Sequence, residues 1–391
     1  MKEKKRIYLD NASTTPIDSE VFKTMLPYLK EQYGNPSSIH LEGRKSKSTI
    51  ENSREKIASV IGAEPEEIIF TSGGTEADNL AMFGIARANK SKGKHIIVSG
   101  IEHKAILESC KRLEKEGFEI TYLEVNNHAV VSLEHLKKSL RKDTILVSVM
   151  YANNEVGTIQ SLKEIAKILK ASKSEAVFHT DACQAVGALP ILIKDLGIDA
   201  MTISSSKIYG PKGVGCIYLN KKINIEPIVF GGGQEKGKRA GTENVANIVG
   251  FAKAIEIAEK KREKEFVRLS VLRVYFIDKI LKDIKGVTLN GDRTQRLPNN
   301  INISVSGVEG ESLLLLLDDA GVACSTGSAC SANDLKPSHV LIKCAISAEL
   351  AHCSVRFTLG RYTTKKDLIK TLEILKKAVE NIRNISTIKT K

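Results

Sequence analysis

The chain has 391 residues, more than a single hydrophobic core comfortably serves, so two domains are expected. Hydrophobic residues at 42% beside charged residues at 27% describe a folded protein with a solvated surface and exclude a disordered one. The net charge of +13, from 59 basic and 46 acidic side chains spread along the chain, reads as a lysine-rich solvated surface or as a docking face for an acidic protein. No motif accompanies it that would point to nucleic-acid binding.

At the N-terminus, Met1-Lys-Glu-Lys-Lys-Arg6 runs straight into the strand-like Ile7-Tyr-Leu9 without the apolar core of a signal peptide. No run approaches the roughly 18 uncharged apolar residues that would span a bilayer, so no membrane is expected as a partner and a cytoplasmic location is. The seven cysteines, an odd number with no CxxC pair, fit reduced thiols better than a disulfide framework. Cys324, Cys330, Cys344 and Cys353, with His339 and His352 nearby, match none of the usual zinc spacings, so no metal is expected.

From about residue 66 to 220, short apolar runs alternate with amphipathic stretches. The runs begin at Ile68-Ile-Phe70, His95-Ile-Ile-Val98 and Ile120-Thr-Tyr-Leu123, and continue through Ile145–Val149, Ala176–Phe178, Ala200–Ile203 and Gly215–Leu219. Helical patterns lie between several of them, at Thr75–Ala88, Lys104–Lys115 and Leu162–Leu169. This alternation predicts an α/β fold with a mostly parallel sheet and helices on both faces, and places ligands beyond the carboxyl ends of the strands. Helical periodicity then runs from Asn244 to about Ile284, long enough to bridge two domains. The remainder reads as strand (Ile301–Val305), helix (Ser312–Asp318), a Gly/Ser/Ala loop, strand (Ser354–Phe357) and a final amphipathic helix. We therefore divide the chain into a large domain, 14–255, and a smaller α+β domain, 1–13 with 256–391, which carries the loop at about 321–338.

Three features follow strands. Thr71-Ser-Gly-Gly-Thr-Glu76 turns tightly into a helix, and the N–H groups of Gly74 and Thr75 at its start suit a phosphate. Asp181 follows one strand and Lys207 the next, in Ser204-Ser-Ser-Lys-Ile-Tyr-Gly-Pro-Lys-Gly213. A lysine for a Schiff base and a carboxylate for a pyridine nitrogen, beside a phosphate turn, fit a pyridoxal 5'-phosphate site. Each residue alone is more often a surface charge or a structural turn.

These features occur within a longer ordered set: Tyr8-Leu-Asp-Asn-Ala-Ser-Thr-Thr-Pro16, Tyr33-Gly-Asn-Pro36, Phe70–Glu76, Glu102-His103, Asn153-Asn-Glu155, His179-Thr-Asp-Ala-Cys-Gln184, Gly231-Gly-Gly233, Ser325-Thr-Gly-Ser-Ala-Cys330 and Phe357-Thr-Leu-Gly-Arg361. Through them the chain resembles, nearly end to end, the cysteine desulfurases of the NifS/IscS group, which are class V aminotransferase-fold enzymes of fold-type I. The resemblance implies a pyridoxal 5'-phosphate enzyme that converts L-cysteine to L-alanine. Lys207 would hold the cofactor and remove the Cα proton; His103 would stack on the ring and shuttle protons. Asp181 would pair with the ring nitrogen and Gln184 would reach the phenolate oxygen. Gly74, Thr75, Ser204 and Ser206 would surround the phosphate. Asn154 and Arg356 would bind the substrate carboxylate, and Asn154 would also contact the cofactor. Thr242 would reach the phosphate of a neighbouring subunit, which implies a homodimer. Relatives commonly carry histidine immediately before the lysine; Ser206 stands there in this chain, and it is a shorter donor that is never cationic.

The resemblance also implies that Cys330 attacks the substrate sulfur, becomes a persulfide, and passes the sulfur to an acceptor protein such as an iron–sulfur scaffold or a tRNA-thiolation protein. Cys324 is read as a small packing residue, with a relay role left open. Cys110, Cys183, Cys216, Cys344 and Cys353 are read as core. Two rival readings remain: another class V enzyme, an aminotransferase or selenocysteine lyase that ignores Cys330, and a non-catalytic sulfur- or metal-binding scaffold. Sulfide release separates the desulfurase from an aminotransferase, and a yellow chromophore separates it from a scaffold.

Overall fold

A computed structural model describes residues 6–326 and 336–385. Cys330 lies outside the described residues.

A seven-stranded sheet forms the centre of the larger part. Across the sheet the order is Ile68–Thr71, Gly215–Leu219, Ala200–Ser204, Val177–Asp181, Thr144–Ser148, His95–Ser99 and Glu119–Leu123. Gly215–Leu219 runs antiparallel to both of its neighbours and every other pair is parallel. The six strands from Ile68–Thr71 to His95–Ser99 are buried along their whole length, as expected of runs rich in Ile and Val covered on both faces. The last strand, at the edge, is buried only at Leu123.

The expected helices are present at Lys104–Lys115 and Leu162–Ala171. The one expected over Thr75–Ala88 forms as Gly74–Asn79, a π-helical turn at Leu80–Gly84, and Ile85–Ala88. At Gly84 a Cβ would lie 2.8 Å from the Glu226 carbonyl oxygen, so the strand-side loop approaches the helix where only glycine fits.

The predicted long helix is a single element, Val245–Asp283, of 39 residues, roughly 58 Å at 1.5 Å per residue. Its first part, from Val245 to Ala258, belongs to the core around the large sheet. Its last part, with Phe276, Ile277 and Ile280, belongs to a second core built on the antiparallel strands Val287–Leu289, Asn300–Val305 and Ser354–Thr358 and the helices Gly310–Asp319 and Lys365–Ile385.

Ile7 and Leu9 join that second core, and Ile7–Tyr8 pairs in parallel with Val322–Ala323. A smaller cluster departs from a simple two-part division. Val340, Leu341, Cys344 and Ala351 pack with Ile101, Ala129 and Val156, so this C-terminal segment sits against the large sheet's loops.

Candidate active site

A cavity of about 1040 Å³ lies beyond the carboxyl ends of the strands, and nearly all the residues singled out from the sequence line it. They are Gly74, Thr75, His103, Asn154, Asp181, Gln184, Ser204, Ser206, Lys207 and Arg356. Thr242 is not among the lining residues; it is exposed on the loop that follows Arg239.

The floor is built by the sheet. After Ile68–Thr71 the chain reverses through Gly73, whose φ of 150° and ψ of −175° lie in a region almost confined to glycine. A Cβ on the next residue, Gly74, would lie 2.8 Å from the Cys183 sulfur. The two glycines thus let the helix start lie against the Asp181 turn, where its first N–H groups lack intrahelical partners. Asp181 is the last residue of its strand, is buried, and accepts a hydrogen bond from the Cys183 N–H at 2.8 Å. Its partner across the neighbouring strand is Thr202.

Lys207 does not end its strand. Ala200–Ser204 passes into a 3-10 turn, Ser205–Lys207, and the lysine projects one turn beyond. Its Nζ donates to the Ser13 carbonyl. Thr15 donates through both its N–H and its hydroxyl to the Ser206 carbonyl, each at 3.0 Å, and Gln184 Nε2 donates to the Ala12 carbonyl at 3.0 Å. The N-terminal segment 12–15 is therefore part of the site, whereas the sequence reading divided it between the smaller domain (to residue 13) and the larger (from residue 14) and gave it no role there.

The facing wall comes from distant segments. The Arg356 side chain is 3% exposed. One terminal nitrogen donates to the Asn154 carbonyl at 2.9 Å; the other donates to Asp10 Oδ1 at 2.9 Å and Ser13 Oγ at 2.8 Å. Its Nε is buried and has no hydrogen-bond partner among the described residues. On the backbone Arg356 exchanges hydrogen bonds with Ser325, at 2.6 and 3.1 Å, so the segment that leads to Cys330 leaves the described fold beside Arg356. His103 caps the helix Lys104–Lys115, its Nδ1 accepting from the Ala105 N–H at 3.1 Å. A ring nitrogen that accepts carries no proton, which leaves the proton of the neutral ring on Nε2.

Three buried carboxyl groups line this cavity that the sequence reading gave no role: Asp78, Glu102 and Glu155. Burial pushes Glu102 up to about 8, although the Ser99 hydroxyl and the Met150 N–H both donate to it. Burial likewise pushes Glu155 up to about 7 against the hydroxyl of Ser338 and the charge of Arg356, which favour its ionised form. Glu102 and Glu155 stand inside motifs noted in the sequence, Glu102-His103 and Asn153-Asn-Glu155. Asp78 lies four residues past Gly74, one helical turn along the same face, and only that spacing hinted at it.

The cysteines divide. Cys110, Cys216 and Cys344 are buried within apolar clusters, and Cys353 is buried too, as expected. Cys183 is buried too, but it lines the cavity, and burial followed by the charge of Asp181 raises its thiol well above the ordinary range. Cys324 is half-buried rather than buried; it packs against the second core, and burial there raises its thiol as well.

The family model for class-V aminotransferases matches residues 7–370. The chain is 56% identical over 386 residues to a protein of Dictyoglomus turgidum named cysteine desulfurase IscS, covering 99% of this chain and 98% of that one. It is 49% identical to the cysteine desulfurase IscS of Methanosarcina thermophila, covering 100% and 96%. Among solved structures, a NifS-like protein superposes with a TM-score of 0.91 at 36% identity, covering 96% of this chain and 100% of that one. One described as SspA in complex with cysteine gives 0.79 at 32%, covering 92% and 100%. The chain belongs to the class-V aminotransferase family, within its cysteine desulfurase group.

Proposed function

We propose that the protein is a cysteine desulfurase that holds pyridoxal 5'-phosphate on Lys207 and moves the sulfur of L-cysteine to Cys330, leaving L-alanine. The observation that carries this reading is the meeting of Lys207, Asp181 and Arg356 in one cavity. The substrate comes from the names of the relatives. The residues present fit the cofactor: an amine, a carboxylate on the adjacent strand, a glycine turn into a helix start, and two hydroxyls, Ser204 and Ser206, 3.1 Å apart.

When bound, the cofactor supplies a ring that takes up electron density from the substrate Cα. Lys207 would give up its hydrogen bond to Ser13 to hold the cofactor and would take the proton from the substrate Cα. Asp181 would keep the ring nitrogen protonated, and Gln184 and His103, with its proton on Nε2, would hold the ring. Gly74, Thr75, Ser204 and Ser206 would hold the phosphate. Arg356 and Asn154 hold the substrate carboxylate, which competes for the guanidinium now engaged by Asp10.

The Cys330 thiolate attacks the cysteine sulfur. A C–S bond breaks, an S–S bond forms, and the carbon gains a proton as alanine leaves. The enzyme keeps the persulfide and passes it to an acceptor such as an iron–sulfur scaffold in the cytoplasm. A second copy of the chain supplies Thr242. Tyr33, Ile39 and Phe230, each more than four-fifths exposed, are apolar side chains that such a copy would cover. We read 14–255 as the cofactor-binding domain and 1–13 with 256–391 as the domain that presents Cys330.

The test is incubation with L-cysteine, with alanine measured and the Cys330 peptide weighed for one added sulfur. Cys330→Ser should keep the cofactor absorbance and slow alanine formation at least about a hundredfold, because a hydroxyl is a poor nucleophile toward sulfur. Alanine formation at the wild-type rate by Cys330→Ser would refute the assignment.

A further inference from the structure

Beneath Asp181 lies a second carboxyl group. Asp78 is 1% exposed and lines the same cavity, and its Oδ1 is buried without a hydrogen-bond partner among the described residues. Its neighbours form a row of polar side chains otherwise enclosed by sheet and helix. Asp78 shares a hydrogen bond with Thr202. The Thr202 hydroxyl is 3.0 Å from His179 Nε2, and His179 Nδ1 is 2.9 Å from the Ser148 hydroxyl. Thr202 is also the cross-strand partner of Asp181. The row therefore reaches the residue beside Asp181 on the next strand.

Among the described residues, the titratable groups that act on Asp78 or stand beside it are acids, a thiol and an imidazole. Asp181 and Glu102 are acids, Cys183 is a buried thiol, and His179 stands 4.0 Å away with its ring fully buried. Burial lowers His179 to about 4, so it is a neutral imidazole at neutral pH. Burial, followed by the charge of Asp181, raises Asp78 well above the ordinary carboxylate range, and outweighs the hydrogen bond with Thr202, which by itself favours the ionised form. Two carboxylates in one enclosed site do not both ionise.

Resting on the cofactor reading above, we propose that Asp78 is a positioning residue: held as a neutral acid, it donates its proton to Thr202 and so leaves Asp181 as the one carboxylate charge beneath the ring nitrogen. In this state every hydrogen of the row has one direction. Asp78 donates to Thr202 Oγ1, Thr202 donates to His179 Nε2, and His179 Nδ1–H donates to Ser148. Ionised Asp78 would reverse the row and set a second negative charge beside Asp181.

The neutral form can be imitated. Asparagine at position 78 keeps a donor for Thr202 and never ionises, whereas alanine removes the donor and opens a void. The holoenzyme forms of wild type, Asp78→Asn, Asp78→Ala and Thr202→Val are dialysed, and the loss of the visible cofactor band is followed between pH 6 and 9. Asp78→Asn should lose the cofactor at a rate within about threefold of wild type, with a flatter dependence on pH. Asp78→Ala and Thr202→Val should both lose it at least about tenfold faster, since each breaks the row beside Asp181. If Asp78→Asn loses the band as fast as Asp78→Ala while wild type keeps it, the negative charge is what matters and the inference is overturned. Equal rates in all four proteins overturn it as well. A wild type with no band at all overturns instead the cofactor reading on which the inference rests.

Discussion

Lys207 and Asp181 reach the cavity from adjacent parallel strands, each held by a turn that its own neighbours specify. Arg356 reaches the same cavity from a strand of the second core. It is fixed by Asp10, 346 positions away, and by the Asn154 carbonyl, 202 positions away. The floor is thus a product of one sheet, while the wall exists only after the N-terminal segment, the loop after Thr144–Ser148 and the C-terminal strands have come together. A lesion in the floor should therefore remove chemistry with the fold intact. A lesion in the wall should change substrate binding and the coupling between the two cores.

The largest expected effect tests the floor. Lys207→Ala should abolish the visible cofactor band and lower turnover of L-cysteine by at least about a thousandfold, because both the covalent attachment and the proton transfer depend on one amine. Its thermal midpoint without cofactor should stay close to wild type, since the Lys207 side chain is only partly buried and its hydrogen bond to the Ser13 carbonyl lies at the cavity. A mutant with both band and activity would overturn the assignment of the floor.

Arg356→Ala tests the wall. The cofactor band should remain, and KM for L-cysteine should rise about 10- to 100-fold, the range expected for losing charge-assisted hydrogen bonds to a carboxylate. Asp10 loses its cation in the same change. Loss of the cofactor with unchanged KM would show that the guanidinium serves the floor instead.

The same division explains what could be read from the sequence. The strands of the large sheet are legible because buried parallel strands are short apolar runs, and the residues just past them mark the cavity by position alone. The glycine turn, Asp181 and Lys207 each carry a local pattern. The long helix was legible as a period, and its role in joining two cores follows from where its apolar residues fall. Segment 12–15 was not legible as part of the site, because its contribution is made through the carbonyls of Ala12 and Ser13, which any residues possess. Glu155 and Glu102 were visible as motif letters, but their proton-holding state depends on complete burial, which no single chain position reveals. The role of Cys330 came through family resemblance, since composition offers seven cysteines and no reason to prefer one.

Glu155 and Glu102 give a pH signature that sharpens the comparison, since Glu155 stands in the loop that supplies the wall and Glu102 just past a strand of the floor. Each has a folded-state value above the ordinary carboxylate, about 7 for Glu155 and about 8 for Glu102. The folded protein therefore binds more protons than the unfolded chain between about pH 4.3 and those values, and stability falls as pH rises across that window. The contribution is complete below pH 4 or so and is lost once pH passes about 8, a change on the order of 3 kcal/mol for Glu155. The acids lowered by their partners, such as Glu76 beside Arg239, act below this window and do not mask it. The thermal midpoint of the protein should decline from pH 6 to pH 9, and Glu155→Gln should make the decline shallower. An unchanged slope in Glu155→Gln would mean that Glu155 is already ionised at pH 6.

The smallest effect returns to the floor, at the position where the resemblance leads one to expect a histidine and the chain has Ser206. Ser206 is half-buried, lines the cavity and lies with its hydroxyl 3.1 Å from that of Ser204. Two hydroxyls that share a hydrogen bond between themselves have one fewer donor for a phosphate than two that both point at it. A histidine at 206 would offer a longer reach and, when protonated, a charge-assisted bond to the phosphate. The backbone there is already fixed, because the Ser206 carbonyl accepts from Thr15 twice, so the substitution changes the side chain with little freedom for the turn to follow. Ser206→His should therefore slow cofactor loss on dialysis about two- to fivefold at pH 6, where the imidazole is mostly cationic, and by less at pH 8. The ratio of the two rates isolates the charge from mere bulk, because crowding would act equally at both pH values. Faster loss at both would show that the Ser204–Ser206 pair is fitted to the phosphate as it stands and that the floor has no room for an imidazole at 206.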